Sequence, residues 1–139
     1  VLRYANKFLP LIDPRYVCFV LDQQDNMIGF SVAAPSLADA FRKCGGKLFP
    51  LGFIHVLRAM KGKNDTLDLF LIAVRPDYQG KGVNAILMNE ILQSAMQHGV
   101  RCAETGPELE LNEKVTSQWR FFDVEQHKRR RCFIKKLDG

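Results

Sequence analysis

Short apolar runs separated by polar turns predict a β-sheet. The runs at 16–21 and 27–34 flank a polar turn, a pattern typical of a β-hairpin. A third apolar run covers Thr66–Val74, and a fourth at 101–105 follows a glycine that ends the preceding helical pattern. Alternation through 131–137 predicts a closing strand, with a hairpin around Asp123 to Lys128 as the alternative.

Four other segments repeat apolar residues at intervals of three and four, which is typical of helices with one buried face. These segments are 37–44, 49–60, 85–97 and 110–121. The segment at 85–97 is the main amphipathic helix and is predicted to pack on the sheet. Residues 1–11 mix apolar and basic side chains, so they predict the tail of a helix or an extended lead-in.

Length and composition indicate one folded domain rather than a disordered chain. The 139 residues suit a single compact domain, and 47% hydrophobic residues suffice for a core. No apolar run reaches the roughly 18 residues of a membrane-spanning helix, so no membrane partner is predicted. The four cysteines form no Cys-x-x-Cys pair and the three histidines lack metal-ligand spacing. We therefore predict reduced thiols, no metal and a cytoplasmic location.

A strand, a glycine-bearing turn and a helix start follow one another between Thr66 and residue 97, an order typical of anion sites. The first N–H groups of a helix have no partner within it, and the helix dipole favours negative charge there. Gly80 and Gly82 allow close backbone approach and positive φ. The turn matches neither a Walker loop nor the dinucleotide fingerprint. It predicts a diphosphate-binding turn, with an ordinary strand-to-helix connection as the alternative.

The turn consists of Gln79, Gly80, Lys81, Gly82, Val83 and Asn84. This run resembles the (Arg/Gln)-x-x-Gly-x-(Gly/Ala) signature of the GNAT superfamily of N-acetyltransferases. Gln79 and Gly82 match the signature, whereas Asn84 stands where the family has a small residue. Asparagine tolerates left-handed backbone better than most residues. The resemblance implies that the six residues bind the pyrophosphate of acetyl-CoA, the co-substrate.

The order of the predicted elements is similar to that of the later part of the GNAT fold, over roughly 16–137. The resemblance implies an α/β (α+β) fold with a mixed, mostly antiparallel central sheet flanked by helices, in which a V-shaped strand splay holds the CoA. It also implies one acyltransferase-like domain over 1–139 that lacks the first strand and first helices of the complete fold. The insertion at 37–60 and the loop at 105–111 would shape the acceptor pocket.

Acetyl transfer to an amine requires deprotonation of the amine and polarisation of the thioester carbonyl. The resemblance implies that a splay or bulge at Ala73 or Val74 frees a backbone N–H for that carbonyl. Asp68 is the only charged residue of its strand and stands where the histone-acetyltransferase branch has its general-base glutamate. Glu104 is the rival, as a base or an amine anchor. A solvated or structural carboxylate is the alternative for Asp68.

Many family members protonate the departing thiolate with a tyrosine in the motif Asn-x-x-Ala-x-x-x-Tyr. Asn112 matches the asparagine, Val115 takes the small apolar position and Trp119 replaces the tyrosine. An indole N–H donates hydrogen bonds but is no useful proton source. The thiolate would therefore take its proton from water, or activity is lost. The resemblance implies that Asn112 binds the pantetheine arm, with a helix cap as the alternative.

The net charge of +5 and the basic run at 128–131 introduce a different class of function, because such runs can mark nucleic-acid sites. No aromatic platform accompanies the charges, so we favour a charged edge strand. The sequence therefore predicts an N-acetyltransferase that acts on an amine-bearing acceptor, with a homodimer left open. The alternatives are a GNAT-fold CoA-binding module with little or no catalysis and a basic nucleic-acid-binding domain.

Overall fold

A computed structural model of the chain describes residues 12–62 and 64–135. The chain divides into two compact units, Val1–Glu104 and Thr105–Gly139. The lead-in predicted for residues 1–11 lies outside the described residues, as do the last two residues of the predicted closing strand. The prediction of one acyltransferase-like domain over 1–139 stays a prediction.

The first unit is built on a four-stranded sheet whose strands follow their chain order. The strands are β1 (Val17–Leu21), β2 (Met27–Pro35), β3 (Thr66–Val74) and β4 (Cys102–Thr105). Strands β1 and β2 pair antiparallel, as do β2 and β3. Strand β4 begins beside the start of β3, because the N–H groups of Arg101 and Cys102 both donate to the Asp65 carbonyl. The sheet is therefore mixed and mostly antiparallel, which confirms the predicted fold class.

The described residues of the first unit form three α-helices, close to where the apolar spacing predicts them. They are α1 (Ala38–Lys43), α2 (Gly52–Lys61) and α3 (Val83–Gln97). The predicted helix at 110–121 is wrong in length, because this segment becomes helical only at the single turn α4 (Glu113–Thr116) and continues as a 3-10 helix, Ser117–Phe121.

Helix α3 covers one face of the sheet and forms the core with it. Its buried side chains recur at every fourth position: Val83, Leu87, Ile91 and Ala95. They pack against buried residues that come from the sheet and from the turn before β1: Tyr16, Ile28, Ala33 and Leu67. Gly29 permits this close approach, because a Cβ there would lie 3.0 Å from Val83 Cγ1 and 3.1 Å from Leu87 Cδ1. The sheet face under α3 is therefore the centre of the fold.

The closing strand predicted at 131–137 is wrong over the residues described. Residues 123–135 form neither helix nor strand, and Phe133 and Ile134 are almost fully exposed. Apolar and polar residues do alternate in this segment, but a strand also needs a neighbouring strand with which it exchanges backbone hydrogen bonds.

Neither a membrane span nor a metal cluster is found within residues 12–62 and 64–135. No helix in this part of the chain is long and apolar enough to cross a membrane. No group of three or more His, Cys, Asp or Glu side chains there is arranged to hold a metal ion. All four cysteines are free thiols, and burial raises the pKa of Cys18.

Candidate functional site

Two glycines in the left-handed conformation shape the turn between β3 and α3. The turn begins as a 3-10 helix, Pro76–Tyr78, and ends at Gly82, which has a φ of 82° and a ψ of −1° directly before α3. Gly80 has a φ of 74°. A Cβ at either glycine would meet nothing within 4 Å. The backbone conformation, rather than crowding, therefore requires glycine, because other L-residues pay about 1–2 kcal/mol there.

The start of α3 has backbone N–H groups that the hydrogen bonds of the helix do not use. No side chain forms a capping hydrogen bond at Gly82, and the first helical bond runs from the Ile86 N–H to the Gly82 carbonyl at 3.1 Å. The N–H groups that precede this bond have no acceptor within the helix. Residues 79–82 are exposed. A helix start of this kind, behind two glycines, suits a phosphate or diphosphate.

Cationic side chains flank the turn and are held there by an aromatic ring. The ring of Tyr78 lies 5.0 Å from the guanidinium carbon of Arg75 and 5.0 Å from Nζ of Lys81. Arg75 also donates a hydrogen bond from Nε to Asp77 Oδ1 at 2.9 Å, which holds the pKa of Asp77 below its usual range and raises the pKa of Arg75. The Gln79 amide donates to the Val74 carbonyl at 3.2 Å and ties the turn to β3.

Sequence reasoning missed the role of Tyr78. Its signal was present in the sequence, because a cation stands three residues before this aromatic residue and another stands three residues after it. Cation–π contacts at exposed sites are individually weak, about 0.5–1 kcal/mol. Their consequence here is positional, since they hold the Arg75 and Lys81 side chains against the Tyr78 ring.

Asp68 and Glu104 lie on neighbouring strands at the same level of the sheet. Each is the third residue of its strand, and both strands begin at the Asp65 carbonyl. Asp68 stands between Leu67 and Leu69, which pack on the α3 side, so its side chain points to the opposite face. Both carboxylates are half-buried. The structure therefore brings the two predicted candidates for the base to adjacent strands.

The irregularity of β3 lies upstream of its predicted position. Ala73 and Val74 remain paired with β2, and the register shifts at Phe70, between Leu69 and Leu71. The sequence could not locate this bulge, because residues 69–74 are all apolar and show no alternation. The assignment of the thioester-facing N–H to Ala73 or Val74 stays a prediction.

In the second unit, Trp119 is held by a carboxylate. Its Nε1–H donates to both oxygens of Glu108, at 3.1 and 2.9 Å, and its ring lies 5.9 Å from that of Phe122. Asn112 precedes α4, where its carbonyl accepts the first helical hydrogen bonds, but its side chain forms no cap. The capping alternative for Asn112 is therefore wrong, and its role toward pantetheine stays a prediction.

The sequence profile of the Acetyltransferase (GNAT) family matches residues 2–122, so the chain belongs to this family. The match spans the whole first unit that is described and part of the second. It confirms the resemblance that rested on the turn at 79–84. No curated protein sequence matches the chain significantly.

Solved acetyltransferase structures share the fold at low sequence identity. Aminoglycoside N-acetyltransferase AAC(6')-Iy in complex with CoA is 15% identical, with a TM-score of 0.58 over 98% of this chain and 86% of that chain. Ribosomal-protein-alanine N-acetyltransferase from Brucella melitensis biovar Abortus 2308 is 13% identical, with a TM-score of 0.53 over 96% and 95% of the two chains. A mutant BH1408 protein from Bacillus halodurans is 14% identical, with a TM-score of 0.57 over 86% of this chain and 64% of that chain. The chain therefore spans less than two thirds of the BH1408 protein.

Proposed function

We propose that this chain binds acetyl-CoA at residues 79–84 and transfers the acetyl group to an amine. The observation that carries the proposal is the start of α3 directly after two left-handed glycines, with Lys81 between these glycines in the chain and its Nζ on the Tyr78 ring. A diphosphate places two negative charges where backbone N–H groups, the helix dipole and a cation converge. Membership of the acetyltransferase family and the CoA complex of AAC(6')-Iy support the choice of CoA among diphosphate ligands.

The chemistry proposed is direct attack, with no covalent intermediate on the protein. Asp68 or Glu104 removes a proton from the acceptor ammonium, either directly or through water. The amine then attacks the thioester carbon, and a backbone N–H at Ala73 or Val74 stabilises the oxyanion. The attacking nitrogen then loses its second proton to water, and collapse of the intermediate breaks the C–S bond, forms the amide and releases the CoA thiolate. Because the indole of Trp119 donates to Glu108 and has no acidic proton, water supplies the proton to the thiolate.

A titration of the full chain with acetyl-CoA, measured by calorimetry, tests the binding half of the proposal. We expect micromolar affinity in the wild type and a loss of more than about 100-fold in Gly82→Glu, because a carboxylate then occupies the anion site. Gly99→Glu is the matched control: Gly99 has a φ of 80°, and a Cβ there also meets nothing within 4 Å. Both variants carry the same strain and the same charge, at opposite ends of α3.

The outcomes separate binding from a general loss of fold. Equal loss of affinity in both variants would show that strain, rather than the site, controls binding, and would contradict the proposal. No binding by the wild type would also contradict it.

A second candidate is a CoA-binding module without turnover, which the commitment of Trp119 to Glu108 favours. Free thiol released from acetyl-CoA in the presence of an amine panel distinguishes the two: the module binds acetyl-CoA and releases none. The nucleic-acid alternative is less favoured, because Arg129 of the basic run pairs with Glu110 at 3.0 Å.

A further inference from the structure

The helical hairpin formed by α1, α2 and the loop between them is strongly cationic. Residues 38–61 hold five basic side chains, Arg42, Lys43, Lys47, Arg58 and Lys61, and one acidic side chain, Asp39. All five cations are exposed, and Arg42 pairs with Asp39 at 2.9 Å. The hairpin therefore carries four of the five net positive charges of the chain.

The same hairpin exposes large apolar side chains. Its exposed apolar residues are Phe41, Leu48, Phe49, Leu51, Phe53, Ile54 and Leu57. Phe49 is 83% exposed and Leu51 66% exposed, and the rings of Phe49 and Phe53 lie 6.4 Å apart. Isolated exposed apolar residues are ordinary, whereas a run of this length marks a binding surface.

Helix α2 has one exposed side and one side that is buried or half-buried. Its buried and half-buried positions are 52, 55, 56, 59 and 60, whereas its exposed positions are 53, 54, 57, 58 and 61. The exposed stripe therefore begins with Phe53, Ile54 and Leu57 and ends with Arg58 and Lys61. The sequence predicted a helix over 49–60 from its apolar spacing, and the structure exposes Phe53 and Leu57 of that apolar set.

Close packing fixes the orientation of this stripe. Gly52 lies at the start of α2, where a Cβ would come within 1.9 Å of the Lys47 carbonyl oxygen and 3.0 Å of Cys44 Cβ. The Phe53 N–H donates to the Leu48 carbonyl at 2.8 Å. The hairpin is therefore held as one folded element, and its exposed apolar side chains are presented together rather than on a loose loop.

We propose that the α1–α2 hairpin docks on an anionic phospholipid surface. A helix that lies in the membrane interface combines an apolar stripe, which enters the boundary of the acyl chains, with cations that contact anionic headgroups. The sequence-based prediction of no membrane partner rested on the absence of a spanning run, which a surface-bound helix does not need. This proposal is independent of the acetyltransferase activity.

Two other occupants fit the surface less well. A nucleic acid would use the cations and could stack on Phe49 and Phe53, but it offers nothing to Leu51, Ile54 and Leu57. A second copy of the chain would bring two cationic hairpins together, and the repulsion between their like charges would oppose this contact. An anionic bilayer satisfies both the charged and the aliphatic side chains.

Co-sedimentation of the full chain with lipid vesicles tests the proposal. We expect binding to vesicles of equal parts phosphatidylcholine and phosphatidylglycerol, little binding to phosphatidylcholine alone, and weaker binding at high salt. The double variant Arg58→Gln/Lys61→Gln should bind about 25-fold more weakly, at roughly fivefold per cation. Phe49→Ser should bind about tenfold more weakly, because less apolar surface enters the interface.

Arg130→Gln/Arg131→Gln is the matched control, since it removes the same charge from exposed positions in the second unit. It should leave vesicle binding within a factor of two. Absence of binding to the anionic vesicles would overturn the proposal. So would an equal loss in the control, or unchanged binding of Phe49→Ser, because either result would indicate attraction to any polyanion rather than docking of this surface.

Discussion

Both ends of helix α3 are marked by a left-handed glycine, yet the two ends differ in what happens to the backbone groups beside it. At the carboxyl end, His98, Gly99 and Val100 donate N–H bonds to the last carbonyls, at 3.0–3.2 Å. At the amino end, Gly82 is followed by N–H groups with no side-chain cap. Gly82 therefore precedes N–H groups that the helix does not use, whereas Gly99 ends the helix.

The difference shows that a left-handed glycine acquires a function from its surroundings. The exposed amino end has two cations within 5.0 Å of the Tyr78 ring centre. The closed carboxyl end has the His98 ring, whose Nδ1 lies 2.7 Å from the Ser94 carbonyl oxygen. Backbone donors that the helix does not use, together with nearby cations, favour the binding of an anion, whereas carbonyls that accept hydrogen bonds end a helix.

The largest expected effect separates chemistry at the start of β3 from binding at the start of α3. If Asp68 is the base, Asp68→Asn lowers kcat by about 100- to 10,000-fold. The affinity for acetyl-CoA, measured by calorimetry, should stay within threefold, because the phosphate turn is untouched. Steady-state release of CoA thiol measures the rate.

Glu104→Gln is the matched control for that variant. If Glu104 only anchors the amine, this change raises KM for the acceptor and leaves kcat within about tenfold, because binding is lost rather than proton transfer. The opposite ranking of the two variants would assign the base to Glu104. A change of less than threefold in kcat for both would contradict a carboxylate base on these strands.

A smaller effect tests the comparison between Gly82 and Gly99 directly. Gly82→Ala and Gly99→Ala should each lower the free energy of unfolding by about 1–2 kcal/mol, because both force alanine into the left-handed region. Denaturant unfolding measures this cost. Only Gly82→Ala should also weaken acetyl-CoA binding. Equal weakening in Gly99→Ala would mean that the turn has no special role in binding.

The smallest effect concerns two ion pairs, Arg15 with Asp13 and Arg75 with Asp77. Arg15 and Arg75 lower the pKa values of Asp13 and Asp77 by donating hydrogen bonds to these carboxylates. Since both folded pKa values lie below 3.8, each pair stabilises the fold above that value, and its contribution is lost as pH falls through the lowered pKa. Salt should raise the pKa of Asp77 more than that of Asp13, because 55% of the Asp77 side chain is exposed against 18% for Asp13.

Carboxyl-carbon NMR titrations at low and high salt measure both values in one experiment. Asp13→Asn and Asp77→Asn confirm the assignments. Titration of either carboxyl above 3.8 would contradict its pairing with arginine.

The sequence predicted those parts of the fold in which local pattern and tertiary environment agree. Strand β3 has the predicted bounds, and α3 begins two residues earlier than predicted. Leu67 of β3 is buried against Ile91 and Ala95 of α3, so pattern and burial coincide there. Other apolar residues of the two elements are exposed: Phe70, Leu71, Ile86 and Met96. The segment at 110–121 is helical only from Glu113, and residues 131–135 form no strand, because short helices and single strands are marginal without packing partners.

The candidate site was predictable at the turn and less so on the strands. Gly80, Gly82 and the helix after them signal an anion site through backbone physics that applies in any fold. The bulge at Phe70 has no such signal, since an unbroken apolar run fits more than one register. The bond from Trp119 to Glu108 spans eleven residues through a loop and depends on how that loop folds.

By itself, the sequence determined the order of the first four strands and the helices between them, the glycine turn that we propose binds the diphosphate, and the replacement of the usual tyrosine by Trp119. These follow from periodicity, from the conformational freedom of glycine and from side-chain chemistry. Only the tertiary structure decided that Asp68 and Glu104 lie on adjacent strands, that Tyr78 holds Lys81 beside the turn, and that α2 presents Phe53 and Leu57 outward. These depend on which surfaces meet when the chain folds, and an apolar periodicity shows that a helix has an apolar face without showing whether anything covers it.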